Sequence, residues 1–133
     1  MSNSNKEIVL AFLNASVKGD ESAMIALLHP DVQIIEADSL PYGGTIHSPQ
    51  GFLDLIPRVF KTWDNTNVAV DHLIAEGDRV VLLAHMTGQG KNGGEKFNMP
   101  IAEVWLVESG RIKEVRPYYF DTKLLHDIDK GKE

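Results

Sequence analysis

The period of hydrophobic residues changes near residue 67, from helical spacing to alternation. Between Ile8 and Ala15 apolar residues recur at helical spacing, which predicts a first helix. Residues 4–7, which read Ser-Asn-Lys-Glu, fit a capping box at its start. Gly19 is the residue type that ends a helix in a left-handed conformation. The chain is therefore expected to open with a capped amphipathic helix.

Two further helices and one strand are predicted before residue 67. A short helix begins at Asp20 and is ended by His29 and Pro30. Residues 31–36 are rich in branched side chains and predict a strand that closes on Glu36. Ser48 and Pro49 then resemble a helix start. Pro57 lies inside the following apolar stripe, so we expect a kink or an early end there.

Beyond residue 67 the alternation predicts four strands joined by glycine-containing turns, near 67–75, 79–88, 95–107 and 111–120. Residues 80–84 are apolar on both faces, which favours a central strand covered on both sides. A short helix is expected over 122–127. Helices followed by an antiparallel meander predict one α+β domain over residues 1–133, a curved and mostly antiparallel sheet around the N-terminal helices that encloses a cone.

The composition and net charge argue against several classes of partner but identify no particular partner. The formal net charge is −6 and the basic residues are scattered singly, so nucleic acid and anionic membranes are not expected partners. No apolar run approaches the ~20 residues of a membrane span. The N-terminal residues lack the apolar core of a secretion signal, and the expected location is cytoplasmic. With no cysteine, thiol chemistry is excluded.

Two sequence patterns could indicate a cofactor or a metal, a glycine-rich string and the spacing of the histidines, and neither gives much support. Residues 88–93 match G-x-G-x-x-G, but a strand follows where a dinucleotide site needs a helix, so a glycine-rich hairpin is expected. The five histidines show no metal-ligand spacing. We therefore predict no cofactor and no metal.

Carboxylates and tyrosines near strand ends are the candidate reactive groups. Glu36 ends an apolar strand, and if it points into the cone, burial should raise its pKa and make it a usable acid or base. The alternative is a strand-end carboxylate in water. Tyr119 and Asp121 share a strand face by the period of two. Tyr119 could donate to a ligand or simply pack, and Asp121 could move a proton or cap the last helix.

Two strand residues complete the polar candidates. His85 shares a face with Val81 and Leu83 and either lines the cone or is a core histidine bonded to backbone. Glu103 is grouped with Ile101, Trp105 and Val107 on an apolar outer face that suggests a partner subunit. The opposite face of the same strand, with Ala102 and Val104, is then expected to line the pocket.

The order of elements and several strings resemble the SnoaL-like proteins, of the superfamily that also holds ketosteroid isomerases and nuclear transport factor 2. The strings are residues 14–20, 31–36, 40–44 and 108–112, and the resemblance covers nearly the whole chain. It implies a cone-shaped barrel that dimerises through the outer face of its sheet. It is specific for fold and weak for function, since one fold serves many activities.

Carried over by position, the steroid isomerase residues match only in part. The base falls on Glu36, the oxyanion tyrosine on Phe12 and the oxyanion acid on Ala102, so both oxyanion donors are missing and a steroid isomerase is not implied. Asp121 resembles the acid/base aspartate of SnoaL-type cyclases. The predicted site thus combines Glu36, Asp121, Tyr119 and His85 as catalytic residues. Its expected substrate-binding residues are Phe12, Trp63, Ala102 and Val104.

Three functions are compatible with these residues. The first is a cofactor-independent isomerase, cyclase or dehydratase that uses carboxylate proton transfer on a small apolar substrate. The second is a non-catalytic binding module for a hydrophobic metabolite. The third is a structural dimer whose pocket is packed shut by Phe12, Trp63 and Tyr119.

Overall fold

The computed structural model describes residues 2–131, with side chains from residue 5 onward. The first helix begins at Ser2, and the predicted capping box depends on the side chain of Ser4, which lies outside the described residues. The elements in chain order are α1 (Ser2–Lys18), α2 (Glu21–Ala26), β1 (Leu28–Glu36), β2 (Gly44–Ile46), α3 (Pro49–Thr62), β3 (Asp64–Glu76), β4 (Arg79–Gln89), β5 (Lys96–Glu108), β6 (Arg111–Tyr119) and α4 (Thr122–Gly131).

The helix starts follow the predicted capping chemistry, but the predicted end of the second helix is wrong: α2 ends at Ala26, and His29 and Pro30 lie in β1, which begins at Leu28. Gly19 has a positive φ of 69° just after α1, as a left-handed stop requires. Asp20 caps α2 by accepting a hydrogen bond from the amide of Ala23 at 3.2 Å. Ser48 caps α3 through the amide of Gly51 at 3.0 Å. The expected early end at Pro57 is wrong, because α3 continues to Thr62.

Six strands form one curved sheet in the order β2-β1-β6-β5-β4-β3. All neighbouring strands are antiparallel except β1 and β6, which are parallel. The four strands predicted beyond residue 67 are all present. The short strand β2, for which no strand was predicted, was missed, and α4 runs to Gly131, four residues past its predicted end. The sheet is mixed and unclosed, and the α+β expectation is confirmed.

A two-residue turn sets the register of β5 against β6. Ser109 and Gly110 join the strands with φ values of 53° and 79°. Two successive positive φ angles match the twist of antiparallel strands, which is why glycine is favoured at such a turn. The residues of the G-x-G-x-x-G string likewise lie in the β4–β5 hairpin and not before a helix, as predicted.

Helices α1 and α3 cover only the concave face of the sheet. On β4, Val80, Leu82 and Ala84 point to this face and are buried, whereas Val81 and Leu83 on the other face are only half-buried. The expectation that both faces of β4 are covered is therefore wrong for this chain alone. Among residues 2–131, no helix is long and apolar enough to cross a membrane.

The orientation of β5 reverses the prediction made for it. Ile101, Trp105 and Val107 are buried on the concave face, and Glu103 shares that face with them. Ala102 and Val104 therefore point to the convex face and cannot line the cavity. The reversal has a simple cause, since the larger apolar side chains, above all Trp105, gain most from burial on the covered face.

Candidate active site: two carboxyl groups in an apolar cavity

A cavity of about 250 Å³ lies between the concave face of the sheet and helices α1 and α3. Every strand except β2 contributes to its walls, and nearly all of the lining side chains are apolar. The polar exceptions among the described lining residues are Ser16, Glu36, Glu103 and Tyr119. A mostly apolar cavity with a few convergent polar groups is the usual form of a small-molecule site.

Glu36 is buried at the end of β1. Only 6% of its surface is exposed, and its Oε1 atom is buried with no hydrogen-bond partner. Burial, and secondarily the charge of Glu103, raise the pKa of Glu36 from 4.5 to about 8. An unpaired buried carboxylate is costly, so this group favours its protonated form at neutral pH. Of the two alternatives left open by the sequence, a carboxyl group inside the cone and a strand-end carboxylate in water, the structure has the first.

Glu103 is the second carboxyl group of the cavity. It lies in register with Pro117 of β6, and β6 is the strand between β5 and β1. It accepts a hydrogen bond of 3.2 Å from Nε1 of Trp105. Burial raises the pKa of Glu103 from 4.5 to about 7, against the lowering effect of the Trp105 hydrogen bond. The side chain is only partly shielded because it faces the cavity, and β5 brings it into the same space as Glu36.

A pair of tyrosines adjoins the carboxyl groups. Tyr42 donates a hydrogen bond of 3.0 Å to the hydroxyl oxygen of Tyr119, which lines the cavity. Burial raises the pKa of Tyr42 to about 12 and raises the pKa of Tyr119 as well, so both remain phenols. Because Tyr42 supplies a proton to the Tyr119 oxygen, the Tyr119 proton is left for another acceptor. Sequence reasoning missed Tyr42, which lies in the loop between β1 and β2.

Aromatic rings form one wall of the cavity. Phe12 stacks on Phe52 with ring centroids 5.1 Å apart, and it meets Trp105 edge-on at 5.8 Å. All three residues line the cavity, which places Phe12 where it was predicted. Trp63 does not line the cavity. It is buried elsewhere in the core, edge-on to Phe97 at 5.4 Å. The cavity remains open, so the structure does not have the closed pocket of the third sequence-based function.

The other predicted polar residues lie outside the cavity. Asp121 is exposed and caps α4 by accepting a hydrogen bond from the Leu124 amide at 3.0 Å. Its alternative reading, a helix cap, is the one that the structure supports. His85 is exposed on the convex face and pairs with Asp71, so it neither lines the cone nor belongs to the core. Strand β6 ends at Tyr119, so the period of two cannot be extended to Asp121.

The geometry supports proton transfer more readily than metal chemistry. Within residues 2–131, no group of three or more histidine, aspartate and glutamate side chains is placed to hold a metal ion. Glu36 and Glu103 interact, so their protons leave as those of a pair. Between about pH 7 and 8 the pair holds about one proton, which provides a base and an acid in one apolar space.

The fold and this cavity define a class of small α+β proteins with a cone-shaped interior. The model of the SnoaL-like domain matches residues 9–115, and the chain belongs to that family. No curated protein matches the chain.

Solved structures extend the similarity over almost the whole chain. A nuclear transport factor 2-like protein from Burkholderia xenovorans LB400 is 21% identical, covers 97% of this chain and 98% of its own, and has a TM-score of 0.84. A similar protein from Burkholderia thailandensis E264 is 26% identical over 96% of this chain and 97% of its own, with a TM-score of 0.82. A protein with a ketosteroid isomerase-like fold from Catenulispora acidiphila DSM 44928, in complex with trimethylamine, is 22% identical over 85% of each chain, with a TM-score of 0.68.

The comparisons therefore establish the family and the fold. The structure itself corrects one of the residues carried over by resemblance. The oxyanion acid was assigned to Ala102, but Glu103 is the residue of β5 that faces the cavity. Ala102 therefore does not reach the cavity, whereas Glu103, which was predicted to lie on the outer face, supplies an acidic group there.

Proposed function

We propose that this protein is a cofactor-independent enzyme of the isomerase, cyclase or dehydratase type that moves protons on a small apolar carbonyl compound. One observation carries the proposal: Glu36 and Glu103 line the same apolar cavity, and burial raises the pKa of both. Enzymes tune carboxyl groups toward neutral pH in this way so that one group can accept a proton and later return it.

In the proposed reaction the ionised member of the pair removes a proton from a carbon next to the carbonyl group. The C–H electron pair forms a C=C bond, and the carbonyl oxygen becomes an enolate oxygen. Where the substrate carries a further C=C bond conjugated with the enolate, the protonated member then delivers its proton to the far carbon of that bond; the double bond shifts, the carbonyl group re-forms, and an isomer results. In a dehydration the same member instead protonates a departing hydroxyl group, which leaves as water. The pair holds one proton before and after isomerisation, so no redox cofactor is required.

Tyr119 is the proposed donor to the developing enolate oxygen. Its hydroxyl lines the cavity, and the bond from Tyr42 orients it. Loss of one such donor typically costs roughly 10²–10³ in rate. Phe12 and the neighbouring rings form the apolar wall for the substrate body. The complex of the Catenulispora protein with trimethylamine supports a pocket for a small ligand in this fold.

Hydrogen–deuterium exchange tests this proposal without knowledge of the physiological substrate. Cyclic ketones of a size that fits about 250 Å³ are incubated in D₂O, and loss of the α-proton signal is followed by NMR. Exchange should be faster with the wild-type protein than without it. Glu36→Gln and Glu103→Gln should each slow it by roughly 10²–10⁴, the usual contribution of a general acid or base.

Two matched variants serve as controls for this experiment. Glu108→Gln removes an exposed carboxylate from the same strand as Glu103, and Asp121→Asn alters the α4 cap. Both should exchange protons at the wild-type rate. Equal rates in wild type and in both cavity variants would contradict the assignment of the carboxyl pair.

A non-catalytic binding module is the second candidate, favoured by the predominantly apolar lining of the cavity. On this proposal the carboxyl groups only orient a hydrophobic metabolite. A ketone that binds in competition experiments but shows no exchange above the uncatalysed rate would support the binding module over the enzyme.

We also propose a homodimer through the convex face of the sheet. Two rows of neighbouring residues cross the strands on this face. One row contains Ile74, Val81 and Val104, and the other contains Leu83, Ala102 and Tyr118. Tyr118 is 54% exposed, and its ring would be shielded by a second copy. Light scattering should give twice the chain mass for wild type and a single chain mass for Tyr118→Glu, with an unchanged circular dichroism spectrum. A monomeric wild type would contradict the dimer.

A further inference from the structure

The carboxyl pair of the cavity has no positive partner within the chain. Among the described residues, neither Glu36 nor Glu103 forms an ion pair, and no lysine, arginine or histidine side chain lines the cavity. The Oε1 atom of Glu36 is buried, faces no donor and belongs to a cavity-lining side chain. A buried acceptor of this kind is normally satisfied, so the missing donor is one that a ligand can supply.

The apolar wall offers a second feature that suits a cation. Phe12, Phe52 and Trp105 line the cavity, with centroid separations of 5.1 to 6.4 Å among the three rings. Aromatic faces attract positive charge, most strongly when water is excluded. An ammonium group also has donors for carboxylate oxygens, whereas an alkyl or cycloalkyl body would fill the apolar remainder. An anionic ligand would meet two acids and no counter-charge.

We infer that the cavity binds small hydrophobic amines in their protonated form, with the ammonium group held between Glu36 and Glu103. The inference rests on the proposed function only in using the same cavity and the same two carboxyl groups. It requires no turnover, and such amines would be competitive inhibitors of the proposed reaction. The inference goes beyond the proposed reaction because it specifies the charge of the ligand and its hydrogen-bond donors, which the carbonyl chemistry leaves open.

Binding of a cation should be linked to proton release. The titratable groups that face the pair are Tyr119 from β6 and, behind it, Tyr42 from the β1–β2 loop, and both remain phenols. Helices α1 and α3 and strands β3 and β4 place no titratable described side chain in the lining. Because burial holds protons on both glutamates below about pH 7, an ammonium ion at pH 6 must displace about one proton to gain its carboxylate partner, and this release becomes smaller as the pair ionises at higher pH. Affinity should therefore rise as the pH is raised from 6 to 8.

Three ligands of the same shape test the inference by titration calorimetry on the full chain: cyclohexylmethylamine, cyclohexylmethanol and cyclohexanecarboxylate. Titrations at pH 6, where both glutamates hold their protons, in two buffers of different ionisation enthalpy give the number of protons released. The amine should bind at least about tenfold more tightly than the alcohol, the size of one charge-assisted hydrogen bond. The carboxylate should not bind measurably. In Glu36→Gln and Glu103→Gln the preference for the amine and the proton release should fall, and in Glu108→Gln both should persist.

The possible results of these titrations and of the ketone-exchange assay distinguish the amine-binding inference from the proposed enzyme activity. Alcohol binding equal to or tighter than amine binding, or amine binding without proton release, overturns the inference. It leaves the proposed function standing if ketone exchange is still observed. Amine binding with proton release but no ketone exchange supports the inference and contradicts the enzyme. Preferred binding of the carboxylate, or no binding by any of the three ligands, also overturns the inference.

Discussion

Replacing Glu36 by glutamine should make the protein more stable at alkaline pH and leave its stability at pH 5 nearly unchanged. The reason is the burial of this carboxyl group without a partner for Oε1. A glutamine side chain has nearly the same shape but carries no charge at any pH. The variant therefore removes the cost of ionising a buried acid while it preserves the packing around residue 36.

The size of the effect follows from the change in pKa. An acid whose pKa is higher in the folded state holds extra protons when folded, so the free energy of unfolding falls as the pH rises between the two values. For Glu36 these values are 4.5 and about 8. At about 1.4 kcal/mol per pH unit, the limiting loss above pH 8 is about 5 kcal/mol. The stabilising contribution is complete below pH 4.5 and is lost as the pH rises through 8.

Urea unfolding of wild type, Glu36→Gln and the exposed-site control Glu108→Gln, measured at intervals from pH 5 to 9, tests this prediction. Subtraction of the wild-type curve from the Glu36→Gln curve isolates residue 36 from the histidines and other groups that titrate in both proteins. The difference should grow steadily with pH, toward the limit given above. A difference that stays flat, or one that shrinks as the pH rises, would refute the reasoning.

Three further predictions concern individual contacts. Tyr119→Phe should lower kcat of the proposed reaction by roughly 10²-fold with little change in KM, because the Tyr119 hydroxyl donates to the developing oxyanion. A change confined to KM would instead assign Tyr119 to substrate binding. Asp121→Ala should lower the free energy of unfolding by about 1 kcal/mol through loss of the α4 cap, and unaltered urea unfolding would contradict that role. Gly88→Ala should destabilise the protein by about 1–3 kcal/mol, since a Cβ atom there would lie 2.6 Å from the ring of Phe97; wild-type stability would show that the ring moves aside.

The sheet could largely be predicted from sequence because alternation and turn chemistry are local. Each hairpin beyond residue 67 is marked by a glycine in its turn, and Gly110 lies in a turn with two positive φ values. The direction in which a strand faces is not local. On β5 both sets of alternate residues contain apolar side chains, and only packing against the helices decided that Glu103 points inward.

The candidate site could be predicted only in part for the same reason. Glu36 was found because an acid at the end of an apolar strand is unusual, and Phe12 was found through the family resemblance. Tyr42 lies 77 residues from Tyr119 along the chain, and no local pattern joins two residues so far apart. Asp121 was included by extending the strand period beyond Tyr119, where the chain turns into α4.

Because β1 pairs with β6, the sheet cannot be completed until the last strand has been synthesised. Until residues 111–119 leave the ribosome, the only sheet neighbour available to β1 is the three-residue strand β2. The backbone groups on that edge of Leu28–Glu36 must remain unpaired while the 74 residues between β1 and β6, more than half of the 133-residue chain, are made. Such late, long-range closure slows folding and exposes an open strand edge in the meantime. The enclosure of the two buried acids can therefore form only after the last strand has been made.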